Sequence, residues 1–405
     1  MTTYEETHPW ITFKFKLDAC SPVLWARFGE AWSKCAHLGG VPMKPEAAKR
    51  LWQVFLARGA HATTAIEGNT LSEEQVLEIV EGRLELPPSQ AYLKQEVENI
   101  LKAVEAIDQA VMTGVHLPIS VERVLDLNRQ VLEGLDVDDR TVPGEMRTHS
   151  VVVGGIYRGA PAEDVPYLLG RLCDWLNEML DQAKAVEDNA MKFATTVTAA
   201  VLAHVYLAWI HPFGDGNGRT SRLLECQILA QSGMVPLPAA NLLSDHYNKT
   251  RAKYYDQLRR SSTGERSGDL APFVLYAVAG LAEGLREQID VVRELQFDVA
   301  WVNYVHEIFQ DQPDTAAFRR KKHLILDMPK AKIVPRPDLT MVSPRVASEY
   351  AGTTSKTVTR DINDLVRLGL LRIGLVPVRG RNSPGFRANR DRMLAFRLPM
   401  GDNPG

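Results

Sequence analysis

The residues best suited to chemistry form one run, His211-Pro212-Phe213-Gly214-Asp215-Gly216-Asn217-Gly218-Arg219-Thr220-Ser221-Arg222. Pro212 cannot continue a helix, so the long apolar segment before it stops at Ile210. Gly216 and Gly218 can take positive φ, which turns successive backbone N–H groups inward as an anion nest. That nest leads into a second helix near Arg219, whose N-terminus favours a phosphate. Arg219 and Arg222 are three apart and are expected to point from one helix face at the same charge. Asp215 offers a hard oxygen ligand suited to Mg²⁺ bridging phosphates. His211, with a near-neutral pKa, can take a proton from an attacking hydroxyl. Gly216, Asn217, Gly218, Arg219, Thr220, Ser221 and Arg222 are therefore candidate phosphate-site residues. The competing reading is a glycine-rich helix connection that happens to carry a histidine.

A second run, Thr63-Thr64-Ala65-Ile66-Glu67-Gly68-Asn69, closes an earlier helix. Thr63 and Glu67 are four apart and share a face, and Gly68 is placed to end the helix as its C′ residue. By itself this is also what an ordinary helix end with a solvated glutamate looks like.

Together the two runs resemble the Fic family, matching its HPFx[DE]GN[GK]RxxR signature and its inhibitory [ST]xxxE[GN] motif. The resemblance covers roughly residues 50–286, with a catalytic core near 118–280. It implies transfer of AMP from Mg-ATP to a Ser, Thr or Tyr hydroxyl of a target protein or of the chain itself. His211 would be the general base and Asp215 the Mg²⁺ ligand. Gly216-Asn217-Gly218 would hold the α- and β-phosphates, and Arg219 and Arg222 the phosphate tail. Glu67, with Thr63 and Gly68, would inhibit by pairing with Arg222 and obstructing the γ-phosphate. Pro143-Gly144-Glu145-Met146-Arg147 precedes a hairpin resembling the family's target-clamping flap, with Val153, Gly154, Gly155 and Ile156 along the nucleotide. Tyr254 and Tyr255 resemble the stretch that shapes the adenine pocket, although Ser262 stands where some relatives carry an asparagine. A homodimer is expected from the same resemblance. Two alternatives stay open: a DNA-binding regulator whose pocket senses nucleotide, or the same pocket removing AMP or transferring UMP, GMP or phosphocholine.

Helices must position these residues, for apolar side chains recur at helical spacing almost throughout. The pattern predicts helices over 22–37, 45–67, 72–84, 90–113, 120–133, 163–183, 189–210, 219–233, 245–261 and 269–295. Ser72 and Gln75 form a capping box. Val151-Val152-Val153 before Gly154-Gly155 reads as a hairpin. His204, on one helix with Val197 and Val201, reads as a packed core histidine. The expected fold is mainly α. It comprises an N-terminal helical region (1–114) with an inhibitory helix near 45–68, and a Fic core with a β-hairpin flap (115–295). A helical linker (296–338) and a winged helix-turn-helix (339–405) follow.

In the last region Ser343-Pro344 opens one helix and Ser355 a second, with strands expected around 370–378 and 386–397. The second helix presents Lys356, Thr357, Thr359 and Arg360, the residues that would enter a major groove. Arg379, Arg381 and Arg387 are candidate wing residues. From Arg319 onward 18 Lys and Arg stand against 7 Asp and Glu, a formal excess of 11. The net charge of −3 leaves about −14 for the rest, so the two parts are expected to meet different partners. The four cysteines lack CxxC spacing and read as reduced, packed thiols. The opening residues MTTYEETHPW lack a signal peptide's basic and apolar regions, and the apolar run 197–210 is too short to span a bilayer. A cytoplasmic, membrane-free protein is expected.

Overall fold

The computed structural model describes residues 3–153, 157–330, 332–378 and 381–394. It divides into two compact units, residues 1–290 and 291–405. The first holds helices α1 (Tyr4–Thr7), α2 (Pro22–Gly39), α3 (Pro45–Ala65), α4 (Glu73–Val80), α5 (Ala91–Met112), α6 (Val121–Leu132), α7 (Val165–Ala185), α8 (Asn189–Ile210), α9 (Asn217–Gln231), α10 (Leu242–Lys249) and α11 (Arg251–Ser262). Helix α12 (Ala271–Phe309) contributes its first part. A short hairpin, β1 (Val152–Val153) and β2 (Tyr157–Arg158), is antiparallel, with Val152 opposite Arg158.

Helix α8 is the axis of this unit. From Phe193 to Ile210 nearly every side chain is buried, packed by α2, α7 and α9. With its N-cap Asp188 accepting from the Met191 N–H, it runs longer than the apolar stretch alone. It is long and apolar enough to cross a membrane, yet 89% of its most apolar window is buried within the protein, as in a core helix. Helix α9 packs in turn on α5 and α6. Helix α3 lies against α4, α5 and α10, which carries its C-terminal end to the α8–α9 connection. The capping box is present: the Gln75 N–H donates to Ser72 Oγ and the Ser72 N–H to Gln75 Oε1. Cys35, Cys173 and Cys226 are buried free thiols, and burial pushes Cys35 and Cys173 up to about 12.

Several expected boundaries shift. No division falls at 114, because α3, α5 and α9 share one core. The helix expected over 245–261 breaks at Thr250, whose N–H and hydroxyl both turn back to the His246 carbonyl. The expected linker is part of the second unit. There Trp301, Val305 and Phe309 of α12 join Leu324 and Ile325 of α13 (Ala316–Asp327) and Val334 in a single core. The second unit also holds β3 (Val334–Pro335), α14 (Pro344–Tyr350), α15 (Ser355–Arg367), β4 (Leu371–Val378) and β5 (Arg381–Ala388), with strands in the order β3-β5-β4. β5 begins earlier than expected because Val378 pairs with Arg381 and the ladder continues to Leu371 and Ala388. Pairing overrides the weak strand propensity of Asn382-Ser383-Pro384-Gly385. Pro384, which has no N–H, lies just beyond the two residues that β3 pairs.

Candidate active site

Helix α8 ends because His211 takes φ +52° and ψ 60°, a left-handed conformation costing a β-carbon residue about 1–2 kcal/mol. Pro212 follows, and the buried Phe213 ring anchors the turn. The Asn217 side chain then staples the loop: its Oδ1 accepts from the Phe213 N–H and its Nδ2 donates to the Phe213 carbonyl, each at 2.9 Å. Gly216 has φ +78° and stands as N-cap of α9. The first intrahelical bond of α9 runs from the Thr220 N–H to the Gly216 carbonyl. The N–H groups of Asn217, Gly218 and Arg219 precede it and are available to an anion. Asn128 of α6 fastens the loop from below. Its amide donates to the Asp215 carbonyl (3.0 Å) and to Thr220 Oγ1 (3.3 Å), and accepts from the Gly144 N–H (3.0 Å). A β-carbon on Gly216 would lie 2.9 Å from that amide.

A carboxylate stands beside this cradle. The Glu67 carboxylate lies directly over Gly218, where an added β-carbon would be 2.1 Å from its Oε1. The same oxygen accepts from Arg222 Nη2 at 2.5 Å, and that nitrogen also donates to the Thr63 carbonyl at 2.9 Å. Arg222 is wholly buried, whereas a third of the Glu67 side-chain surface meets solvent. Burial alone would raise the Glu67 carboxyl; the charges of Arg222 and Arg219 and the Arg222 hydrogen bond outweigh it, and the group titrates below its ordinary value. Helix α3 stops at Ala65, and Gly68, at φ +102°, donates its N–H to the Ala65 carbonyl. The chain thus turns as Gly68 predicts, one residue after the glutamate.

The two arginines do not converge on one charge. Arg219 pairs with Glu96 (3.1 Å) and Asp215 (3.3 Å), because a neighbouring carboxylate on α5 competes for it. Glu96 also accepts from the Asn69 amide at 2.9 Å, so one carboxylate joins the turn after Glu67 to Arg219. Thr220 and Ser221 spend their hydroxyls within the protein, on Asn128 and on the Gly218 carbonyl.

His211 is held neutral. Burial is the largest cause and Arg147 adds to it, against the Ala208 carbonyl and the charges of Glu67 and Asp215; the result is a pKa of about 4. Nδ1 lies 3.4 Å from the Ala208 carbonyl, an acceptor, so Nδ1 carries the proton and Nε2 is left basic. Asp215 is half exposed beside the nest.

Tyr254 is buried with its hydroxyl 2.9 Å from His204 Nε2, while Tyr255 is exposed and reaches the Ile66 carbonyl at 3.5 Å. His204 is fully buried, as its sequence position predicts, 3.4 Å from Glu225. Ser262 donates back to its own helix. Gly154, Gly155, Ile156 and Arg379 lie outside the described residues; for Val153 and Arg381 only the strand backbone is described. Lys356 and Arg360 are exposed on α15, in the other unit. Asn128, Glu96 and the carbonyl-binding role of Arg147 escaped the sequence reading. Asn128 alone left a signal, a polar residue one turn from Val124 and Val131 on a buried face.

Residues 118–229 match the sequence model of the Fic/DOC family. Protein adenylyltransferase fic-1 of Caenorhabditis briggsae is 33% identical over 249 residues, covering 61% of this chain and 44% of that protein. Protein adenylyltransferase Fic of Drosophila willistoni is 30% identical over 244 residues, again 44% of its length. The match thus spans less than half the length of these curated relatives. Among solved structures, a fragment of Fic-1 from Caenorhabditis elegans superposes with a TM-score of 0.53 at 27% identity, covering 67% of this chain and 72% of that one. A Fic family protein from Desulfovibrio desulfuricans has the same fold over 91% of this chain and 96% of its own, with a TM-score of 0.54 at 21% identity. The family-model match falls on the loop, the nest and the helices that hold them, so residues 118–229 of this chain are similar to the Fic/DOC family.

Proposed function

We propose that this protein transfers AMP from Mg-ATP to a Ser, Thr or Tyr hydroxyl, and that Glu67 restrains it. The observation that carries the reading is the seat of the Glu67 carboxylate: an anion lies against Gly218 and Arg222, at the N-terminus of α9 and within the electrostatic reach of a neutral His211. The names of the relatives support the same chemistry. The phosphates of ATP would take the N–H groups of the nest and the N-terminus of α9. The target hydroxyl attacks the α-phosphorus, its proton passes to Nε2 of His211, and pyrophosphate leaves with the bond to the α-phosphorus. Among the described residues no group of three or more His, Cys, Asp or Glu forms a metal cage. The lone, half-exposed Asp215 fits a Mg²⁺ that takes its remaining ligands from phosphate and water; such an ion would neutralise phosphate charge.

The second unit supports a separate contact. A helix pair followed by a β-hairpin, with Lys356 and Arg360 exposed on the second helix, supports reading this unit as a winged helix, and its basic charge supports DNA as the partner. The catalytic reading is tested with ATP labelled at either end. Label from the α-phosphate, and none from the γ-phosphate, is expected on protein; label from the γ-phosphate alone would make the protein a kinase.

A further inference from the structure

The buried guanidinium of Arg147 is spent almost entirely on backbone carbonyls. Nε donates to the His211 carbonyl (2.6 Å), Nη1 to His149 (2.7 Å), and Nη2 to Ala160 (2.5 Å) and Ile210 (3.3 Å). Its own N–H donates to the Pro212 carbonyl at 2.9 Å. One residue thus binds the carbonyls of Ile210, His211 and Pro212, three in succession, where α8 ends. It also binds one carbonyl on each leg of the β1–β2 hairpin. A cation at this end of α8 is favoured by the helix dipole, but dipole attraction needs no fork. What the fork adds is direction: a rigid planar set of donors fixes several carbonyls at once, which an ammonium cannot. The hairpin's second leg also presses on the same point, since a β-carbon on Gly159 would lie 2.9 Å from His211 Cβ and 3.0 Å from Arg147 Nη2.

We propose that Arg147 is a positioning residue that holds His211 in its left-handed conformation and locks the base of the flap to the catalytic loop. The inference rests on the proposed role of His211 as base. Held this way, the imidazole is aimed before substrate arrives, and a hairpin displaced by a docking target moves against a fixed point rather than dragging the base along. A misplaced base costs on the order of 10²-fold in rate without loss of nucleotide affinity. The charged groups facing His211 are Arg147 from the flap, Glu67 from the turn after α3, and Asp215 from the loop. Removing the arginine's charge therefore raises the pKa of His211, whereas Lys keeps the charge and loses the fork.

The test compares Arg147→Lys and Arg147→Gln, each in the full-length Glu67→Gly chain, measuring kcat, ATP affinity, the pH profile and the ring titration of His211. The ring signal is read by ¹³C-histidine NMR and identified by its loss in His211→Ala. Arg147→Lys is expected to lower kcat on the order of 10²-fold with ATP affinity and titration midpoint near those of its parent. Arg147→Gln should lower kcat at least as far and move the midpoint, with the acidic limb of the rate, to higher pH. Undiminished kcat in Arg147→Lys overturns the proposal. So does a loss of rate that merely tracks the folded fraction, with midpoint and pH limb unmoved in Arg147→Gln. If the Glu67→Gly chain itself transfers no AMP, the proposed function fails instead, and an unmoved ring titration in Arg147→Gln still overturns the role given to Arg147.

Discussion

Replacing Glu67 by glycine should make this protein more active, the opposite of what losing a motif residue usually does. In the parent, Glu67 Oε1 lies 2.5 Å from Arg222 Nη2 and fills the space over Gly218. Glycine removes the carboxylate and leaves the buried Arg222 with the Thr63 carbonyl at 2.9 Å. Breaking a fully buried pair costs about 3–5 kcal/mol. Here a third of the Glu67 side chain is open to solvent, water can enter, and about 1–3 kcal/mol is the better figure. The empty site is thus destabilised by that amount, and a phosphate tail that replaces the carboxylate recovers it. The corresponding gain in ATP affinity is about 5–150-fold, and correct alignment of the α-phosphorus adds to the rate beyond affinity. Intact-mass spectrometry at equal ATP and Mg²⁺ gives AMP incorporation for parent, Glu67→Gly, and Glu67→Gly with Arg222→Ala. Thermal melts should show the single variant less stable alone and rescued by ATP. The double variant should lose the gain, because Arg222 is its beneficiary. A single variant no more active than the parent refutes the inhibitory assignment, and a double variant as active as the single one refutes the role of Arg222.

His211→Ala should keep ATP binding while AMP transfer falls about 10²–10⁴-fold; a parental rate would exclude it as base. With a His211 pKa near 4, the acidic limb of transfer by Glu67→Gly should fall below pH 5 rather than near 6.5, since losing the carboxylate lowers that pKa further. A limb near 6.5 would contradict the buried neutral imidazole. The Glu67 carboxyl titrates below its ordinary 4.5, so its stabilising contribution is present above that value and lost as pH falls through the folded one. Glu67→Gln should therefore flatten the acid side of the stability curve below about pH 4.5, and an unchanged slope would contradict the ion pair. Duplex DNA should bind the full-length chain less tightly as salt rises, and replacing Lys356 and Arg360 together should reduce the salt slope by about 2; no binding at low salt would assign this unit to protein recognition.

Local chemistry made the loop and most helices legible. Pro212 and Gly216 dictate a turn whatever surrounds them, and the Ser72–Gln75 box marks a helix start on its own. The seat of Glu67 over Gly218 was reachable only through the family resemblance, since Thr63 and Glu67 share a face in any helix. Contacts between distant segments were not legible. Arg219 faces Glu96, 123 residues away in sequence, so spacing on its own helix cannot reveal that it parts from Arg222. Arg147 looks like a surface cation beside a turn until the hairpin folds over the end of α8. The extent of α12 was missed for a related reason: Trp301, Val305 and Phe309 keep the helical period going, but their partners, such as Phe386, lie far along the chain.

If this loop moves AMP, the fate of the three phosphates of ATP reveals it. The Glu67→Gly chain, incubated with Mg-ATP, is weighed intact while released pyrophosphate is counted. An adduct of AMP mass with one pyrophosphate released per adduct is expected, and neither when His211 is also replaced by alanine. An adduct of phosphate mass, or ATP bound with no adduct and no pyrophosphate, would contradict AMP transfer.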